Sequence, residues 1–160
     1  MNGGYVSAHS RVMRTVALST AEAELMAATE AAKDLAHLAN VFDGFGLSDV
    51  DATLGEDNAA ALLMATDINH SVTSRSKHIQ ARHFYVRERC MPSEDDDGKE
   101  IPPALRMFAV PTKMMRADIM TKATDKDTFK FHRDYMVKHI PTEHHEHPKD
   151  AQMKVHLAIW

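Results

Sequence analysis

"ALSTAEAELMAATEAA", residues 17–32, decides how the rest of the chain is read. Leu25, Ala28, Ala32, Leu35 and Ala39 recur at helical spacing, which predicts one long helix over 20–42. Ser19 is a good N-cap, and Glu22 follows it at the capping-box spacing. A second glutamate, Glu24, lies two residues on, and positions two apart on a helix point about 200° away from each other. The two carboxylates therefore do different jobs. Glu22 shares its face with Met26, Thr29 and Lys33, a mixed and partly wet surface suited to a capping residue that also complements the helix dipole. Glu24 instead heads a stripe of Ala28, Ala31, Leu35 and Leu38. Acidic side chains are seldom buried without a partner. Either Glu24 lies at a sheet edge with its head in water, or it holds something between carboxylates.

Outward from this helix, the order of elements is that of an α/β domain. Tyr5, Val6, Val12, Thr15, Val16 and Leu18 favour one or two strands in 1–18, after the Gly3-Gly4 turn signal. "GFG" at 44–46 closes the helix, and "VDATLGED", 50–57, reads as a short strand. Helices are expected over 58–65, 78–90, 114–123 and 127–140, and "ALRMFAV", 104–110, alternates as a strand ending at Pro111. Between them, 67–78 is a polar connection with a basic end, and "PSEDDDGKEIPP", 92–103, is an exposed acidic loop. Residues 1–140 form the domain, and 141–160 form a polar, His-rich tail whose last residues, "VHLAIW", either pair as an edge strand or hang free.

Composition bounds the class. The chain has 160 residues, 44% hydrophobic and 26% charged, which fits one ordinary globular domain. Eleven methionines and few aromatics give a soft core. The net charge of −4 argues against a generally basic nucleic-acid-binding surface, though not against a local basic patch. A single cysteine, Cys90, excludes an intramolecular disulfide and fits an intracellular setting, nucleus and cytoplasm not being distinguished. No apolar run nears the ~18 residues that suggest a membrane span.

Two more carboxylates occupy suggestive places. Asp57 stands where the 50–57 strand gives way to a helix, and α/β sheets place ligand sites at such carboxyl ends. Its bland role is an N-cap, worth about 1 kcal/mol. Asp118 lies in the first turns of the helix after the 104–110 strand, where an acid also complements the helix dipole. Together, three carboxylates near strand–helix junctions make an oxygen-rich site of the kind that suits Mg²⁺ or Mn²⁺. By contrast, His144, His145 and His147 lack the spacing of a structural zinc site and belong to a solvated tail. Cys90 has no arrangement around it that marks a nucleophile.

Four blocks, "TVALSTAEAELMAATEAAKDL", "EDNAAAL", "SRSKHIQARHFYVRE" and "FAVPTKMMRADIMTK", resemble in order and spacing the ribonuclease H domain of copia-type retrotransposon polyproteins, over roughly residues 3–136. The resemblance implies an RNase H-like mixed sheet flanked by helices. It also implies two-metal hydrolysis of the RNA strand of RNA–DNA hybrids, with Mg²⁺, or Mn²⁺ in its place, held by four acidic residues. Glu24, Asp57 and Asp118 match three of them. Asn58 would adjoin the hybrid, and Arg75, Lys77 and His78 would contact phosphates, which positions the backbone without reading sequence. A reverse transcriptase domain is the implied companion. The family's first aspartate, on its first strand, has no counterpart here, because Met1 falls at about the third strand. The 92–103 loop looks like an insertion. A sheet lacking its first two strands, weak metal binding, and hydrolysis by the fragment alone that falls steeply or vanishes are the expectations. A non-catalytic nucleic-acid-binding or protein-interaction module is the alternative, and strands encoded upstream of Met1 are a third.

Overall fold

The computed structural model describes residues 7–10, 12, 16–47, 51–67, 80–137 and 154–158. Helix α1 runs Thr20–Gly44, capped by Ser19, whose Oγ accepts the Glu22 N–H at 3.1 Å. The reciprocal half of the cap is shifted by one residue: Glu22 Oε2 accepts the N–H of Leu18 at 2.6 Å rather than that of Ser19. Glu22 is also buried, with Thr29 beside it on the covered side, so its face is not wet as expected. The cap bond supplies the partner that a buried carboxylate needs. Phe45 caps the far end, and Gly46 follows at φ +76.

Strand β1 (Asp51–Glu56) leads to α2 (Ala59–Thr66) and, beyond the connection, α3 (Gln80–Cys90). A hairpin of β2 (Ser93–Glu94) and β3 (Glu100–Ile101) follows. It lies inside the predicted acidic loop and is as exposed as expected. Asp95 organises its turn, with Oδ1 accepting from Asp97 N at 3.0 Å and Lys99 N at 2.8 Å, and Gly98 takes φ +75. Strand β4 (Arg106–Ala109) comes next. The helix predicted over 114–123 is two short pieces, a 3₁₀ turn at Thr112–Met114 and α4 at Asp118–Thr121. Met115 is extended between them, and no side chain caps α4, so nothing joins the pieces into one helix. Helix α5 (Lys126–Met136) is capped by Asp125, which accepts from Asp127 N and Thr128 N, each at 3.0 Å.

The sheet is the largest departure from expectation. Its order is β4–β1–β5, and β5 is Lys154–Ala158 from the C-terminal tail. Both pairings of β1 are parallel, with Thr53 opposite Arg106 on one side and His156 on the other. Among the described residues the sheet is therefore wholly parallel, and the antiparallel pair β2–β3 stands apart from it. The described residues of the first segment, 7–10, 12 and 16–18, form no strand, and Val12, Val16 and Leu18 are exposed. Strand-forming side chains adopt strands only where a neighbour supplies the ladder. The rest of that segment lies outside the described residues.

As a centre strand, β1 is buried from Ala52 to Glu56, the near-continuous burial of a parallel strand covered on both faces. Helix α1 packs on β1 and β5, and α2 on β1 and β4. Leu25, Ala28, Ala32 and Leu35 of α1 meet Leu54, Ala65, Val86 and Leu105 in one core, where the alanines allow close helix approach. Arg106 reaches across to pair with Asp51 through Nε and Oδ1 at 3.1 Å. Gly55 is required by that packing, since a Cβ there would fall 2.5 Å from Val110 Cγ2 and 3.5 Å from the Phe108 ring. Gly55→Ala should cost about 1–3 kcal/mol by overpacking. Urea unfolding checks this, and an unchanged midpoint would mean that Val110 simply moves aside.

Candidate carboxylate site

Glu24 lies in the second turn of α1, one residue before the buried Leu25. Its position follows from the Ser19 cap, which fixes where the helix starts and so which face Glu24 takes. The side chain is half-buried, and its carboxyl is held above the ordinary glutamate value. Desolvation is the main cause, followed by the charge of Asp57, with Asp118 adding to it and Lys122 opposing it. Charges at the β1–α2 junction and on α4 thus bear on Glu24 of α1.

Asp57 follows the last residue of β1. It is not the cap of α2. That role falls to Asn58, whose Oδ1 accepts the N–H groups of Ala60 at 3.0 Å and Ala61 at 3.2 Å. The amide oxygen of Asn58 is therefore committed to the helix, which leaves its NH₂ group for any ligand. Asp118 begins α4, mostly covered, and its Oδ1 accepts from Lys122 Nζ at 2.7 Å. The residues expected to contact phosphates, Arg75, Lys77 and His78, lie outside the described residues, as do His144, His145 and His147.

A fourth carboxylate was not foreseen. Glu56 ends β1 and is almost wholly buried. Its Oε1 accepts the N–H of Asn58 at 2.8 Å, while Oε2 is buried without a hydrogen-bond partner. Burial pushes its carboxyl up to about 7, the backbone hydrogen bond from Asn58 works the other way, and the charges of Glu24 and Asp57 add to the rise. The signal was present in "EDN": an acid closing a strand whose middle positions, Ala52 to Gly55, are small or apolar has few ways to reach water.

The donor set is all oxygen, which is the chemistry of a hard divalent cation. Its spacing is not. Among the described residues, no three His, Cys, Asp or Glu side chains converge closely enough to hold a metal ion. What Asp118 holds is the Lys122 ammonium. Nearby, His132 of α5 is buried, and burial with the Arg116 charge keeps it below the ordinary histidine value. Neither of its ring nitrogens reaches a hydrogen-bond partner, although the Lys113 backbone comes close enough to favour the charged form. Arg116 itself stacks over the Tyr135 ring, 3.3 Å from its centroid, which ties the α4 segment to α5. Cys90 is half-buried, and burial pushes its thiol up to about 11, which disfavours the reactive thiolate. Among the described residues, no helix is long and apolar enough to cross a membrane.

The chain is distantly similar to a retrovirus-related Pol polyprotein from transposon TNT 1-94 of Nicotiana tabacum, with 29% identity over 138 residues. The aligned region takes in 86% of this chain but 10% of that polyprotein. No family model matches the chain, and no solved structure does.

Proposed function

We propose that the chain is a transposon-derived part of a ribonuclease H, of the copia type, acting on the RNA strand of RNA–DNA hybrids. The observation that carries this reading is that Asp57 and Asp118 both bear on the half-buried Glu24. They come from three separated stretches, each of which resembles a block of that family. The distant similarity to a transposon Pol polyprotein supports it. Glu24, Asp57 and Asp118 would hold Mg²⁺ or Mn²⁺, which would activate water and stabilise the leaving oxygen. The chain's own part is to position those carboxylates from α1, the β1–α2 junction and α4. Asn58 would offer its NH₂ to the hybrid, and Arg75, Lys77 and His78 would take phosphates.

One observation favours a second reading, a module that binds the hybrid without cutting it. As they stand, the carboxylates do not converge, and Asp118 is engaged with Lys122. A labelled RNA–DNA hybrid with Mn²⁺ separates the two. The expected result is retention of the hybrid with slow cleavage, and a drop of about 100-fold or more in that cleavage on Asp57→Asn, as for loss of a principal electrostatic stabiliser. Cleavage that survives Asp57→Asn would sink the assigned site. Retention with no cleavage at all would establish the binding module.

A further inference from the structure

His132 is a buried titratable side chain that the carboxylate site does not use. It lies on α5 at 1% exposure, and neither Nδ1 nor Nε2 has a hydrogen-bond partner. A neutral imidazole carries one donor and one acceptor, and its charged form carries two donors. Buried polar atoms without partners are rare enough that each calls for an explanation. Arg116 stacks over the ring of Tyr135, and Tyr135 lies three residues beyond His132, on the same side of α5. That side of the helix therefore already meets a cation that cannot give up its proton. Arg116 opposes a charge on His132, and its own Nε is buried without a partner. The Lys113 backbone and Asp118 of α4 favour the charge, but burial and Arg116 outweigh them. Asp118 already pairs with Lys122, and on α5 itself Arg133 pairs with Asp134.

The helix is also lightly held. It packs on α4, and among the described residues none of its side chains belongs to the core built around α1, β1, α2 and α3. Phe129 and Phe131 stay exposed, and His132 is the α5 residue that is fully covered. Elements with few buried contacts open locally, at lower cost than the whole domain. We propose that His132 is an acid-sensitive latch: with its ring neutral α5 rests on α4, and a proton on the ring, beside Arg116, releases the helix while the sheet and its core stay folded. The direction follows from burial and from Arg116, which hold the covered ring below the ordinary 6.5, so the open form takes up the proton first. Closure is at full strength above about 6.5 and weakens as pH falls below it, by at most about tenfold in the opening constant per pH unit.

The test is hydrogen exchange by nuclear magnetic resonance on the full 160-residue chain. Between about pH 6.5 and about pH 5.5, amide protection in α5 should fall by up to about tenfold, while protection in α1 does not fall. The His132 ring, followed by its own carbon resonances, should take up its proton as that protection falls. His132→Phe and His132→Gln leave nothing to protonate there, so α5 in either variant should keep the same protection at both values. Protection in α5 that holds at the lower pH overturns the latch. So does loss in α1 together with α5, which is unfolding of the domain, or a parent-like fall in both variants, which places the trigger on another group. If both variants leave α5 unprotected even at neutral pH, the ring resonances of the parent decide. A His132 that stays neutral while α5 opens overturns the latch, and one that titrates with the opening upholds it.

Discussion

Deleting residues 151–160 is expected to abolish cooperative unfolding. β5 pairs with β1 from Asp51–Lys154 to Gly55–Ala158, and β1 is the strand around which the core is built. Without β5, one side of β1 loses its ladder while Ala52, Leu54 and Glu56 remain buried in the core. Each buried backbone group left without a partner costs about 1–3 kcal/mol. A few such groups rival the about 5–15 kcal/mol that holds a typical domain together. The open edge would also recruit other strands, so association should accompany the loss. A circular dichroism melt and size-exclusion chromatography of the truncated chain check this. A sharp melt at the parent's temperature would show that β5 adds nothing to the sheet.

The second large effect concerns Glu56. Its folded carboxyl, at about 7, lies above the ordinary 4.5. The folded state therefore holds a proton across that interval that the unfolded chain releases. The sign follows: protonated Glu56 costs nothing below about pH 4.5, and stability is lost progressively as pH rises from there through about 7. The full loss is on the order of 3 kcal/mol at about 1.4 kcal/mol per pH unit. Glu56→Gln keeps the shape and removes the charge, so it should stabilise the protein by roughly that amount at pH 8 and hardly at all at pH 5. Comparing parent and variant at each pH cancels the opposite trend expected from His132, whose value is lowered. Urea midpoints that track each other at both values would show that Glu56 finds a partner or water for its charge.

Much of the fold was legible where local chemistry acts alone. Ser19 and the spacing of Leu25, Ala28, Ala32 and Leu35 locate α1 without any knowledge of its neighbours. "DATLGE" is a strand because its middle, Ala52 to Gly55, is small or apolar and a helix cap follows. What the sequence hid depends on distant partners. "VHLAIW" has the same propensity whether paired or free, and only the vacant side of β1 decides between them. The strand-forming residues near Leu18 show the reverse outcome, propensity without a ladder. At the site, the separation of Glu22 from Glu24 was readable from helix geometry. The transfer of capping from Asp57 to Asn58 was not, because both residue types cap equally well and one residue of strand length settles which does. Glu56 stands beside Asp57, whose place at a strand–helix junction is the stronger sequence pattern.

The pairing of β1 with β5 also sets a timetable. Lys154 is synthesised about a hundred residues after its partner Asp51. At translation speeds of about 5–20 residues per second, β1 waits several seconds on the ribosome before its second neighbour exists. α1, α2 and α3 can gather around it meanwhile, but the sheet cannot close from that side. A nascent chain stalled before residue 154 should therefore remain open to protease at β1, and one stalled well beyond residue 158 should not.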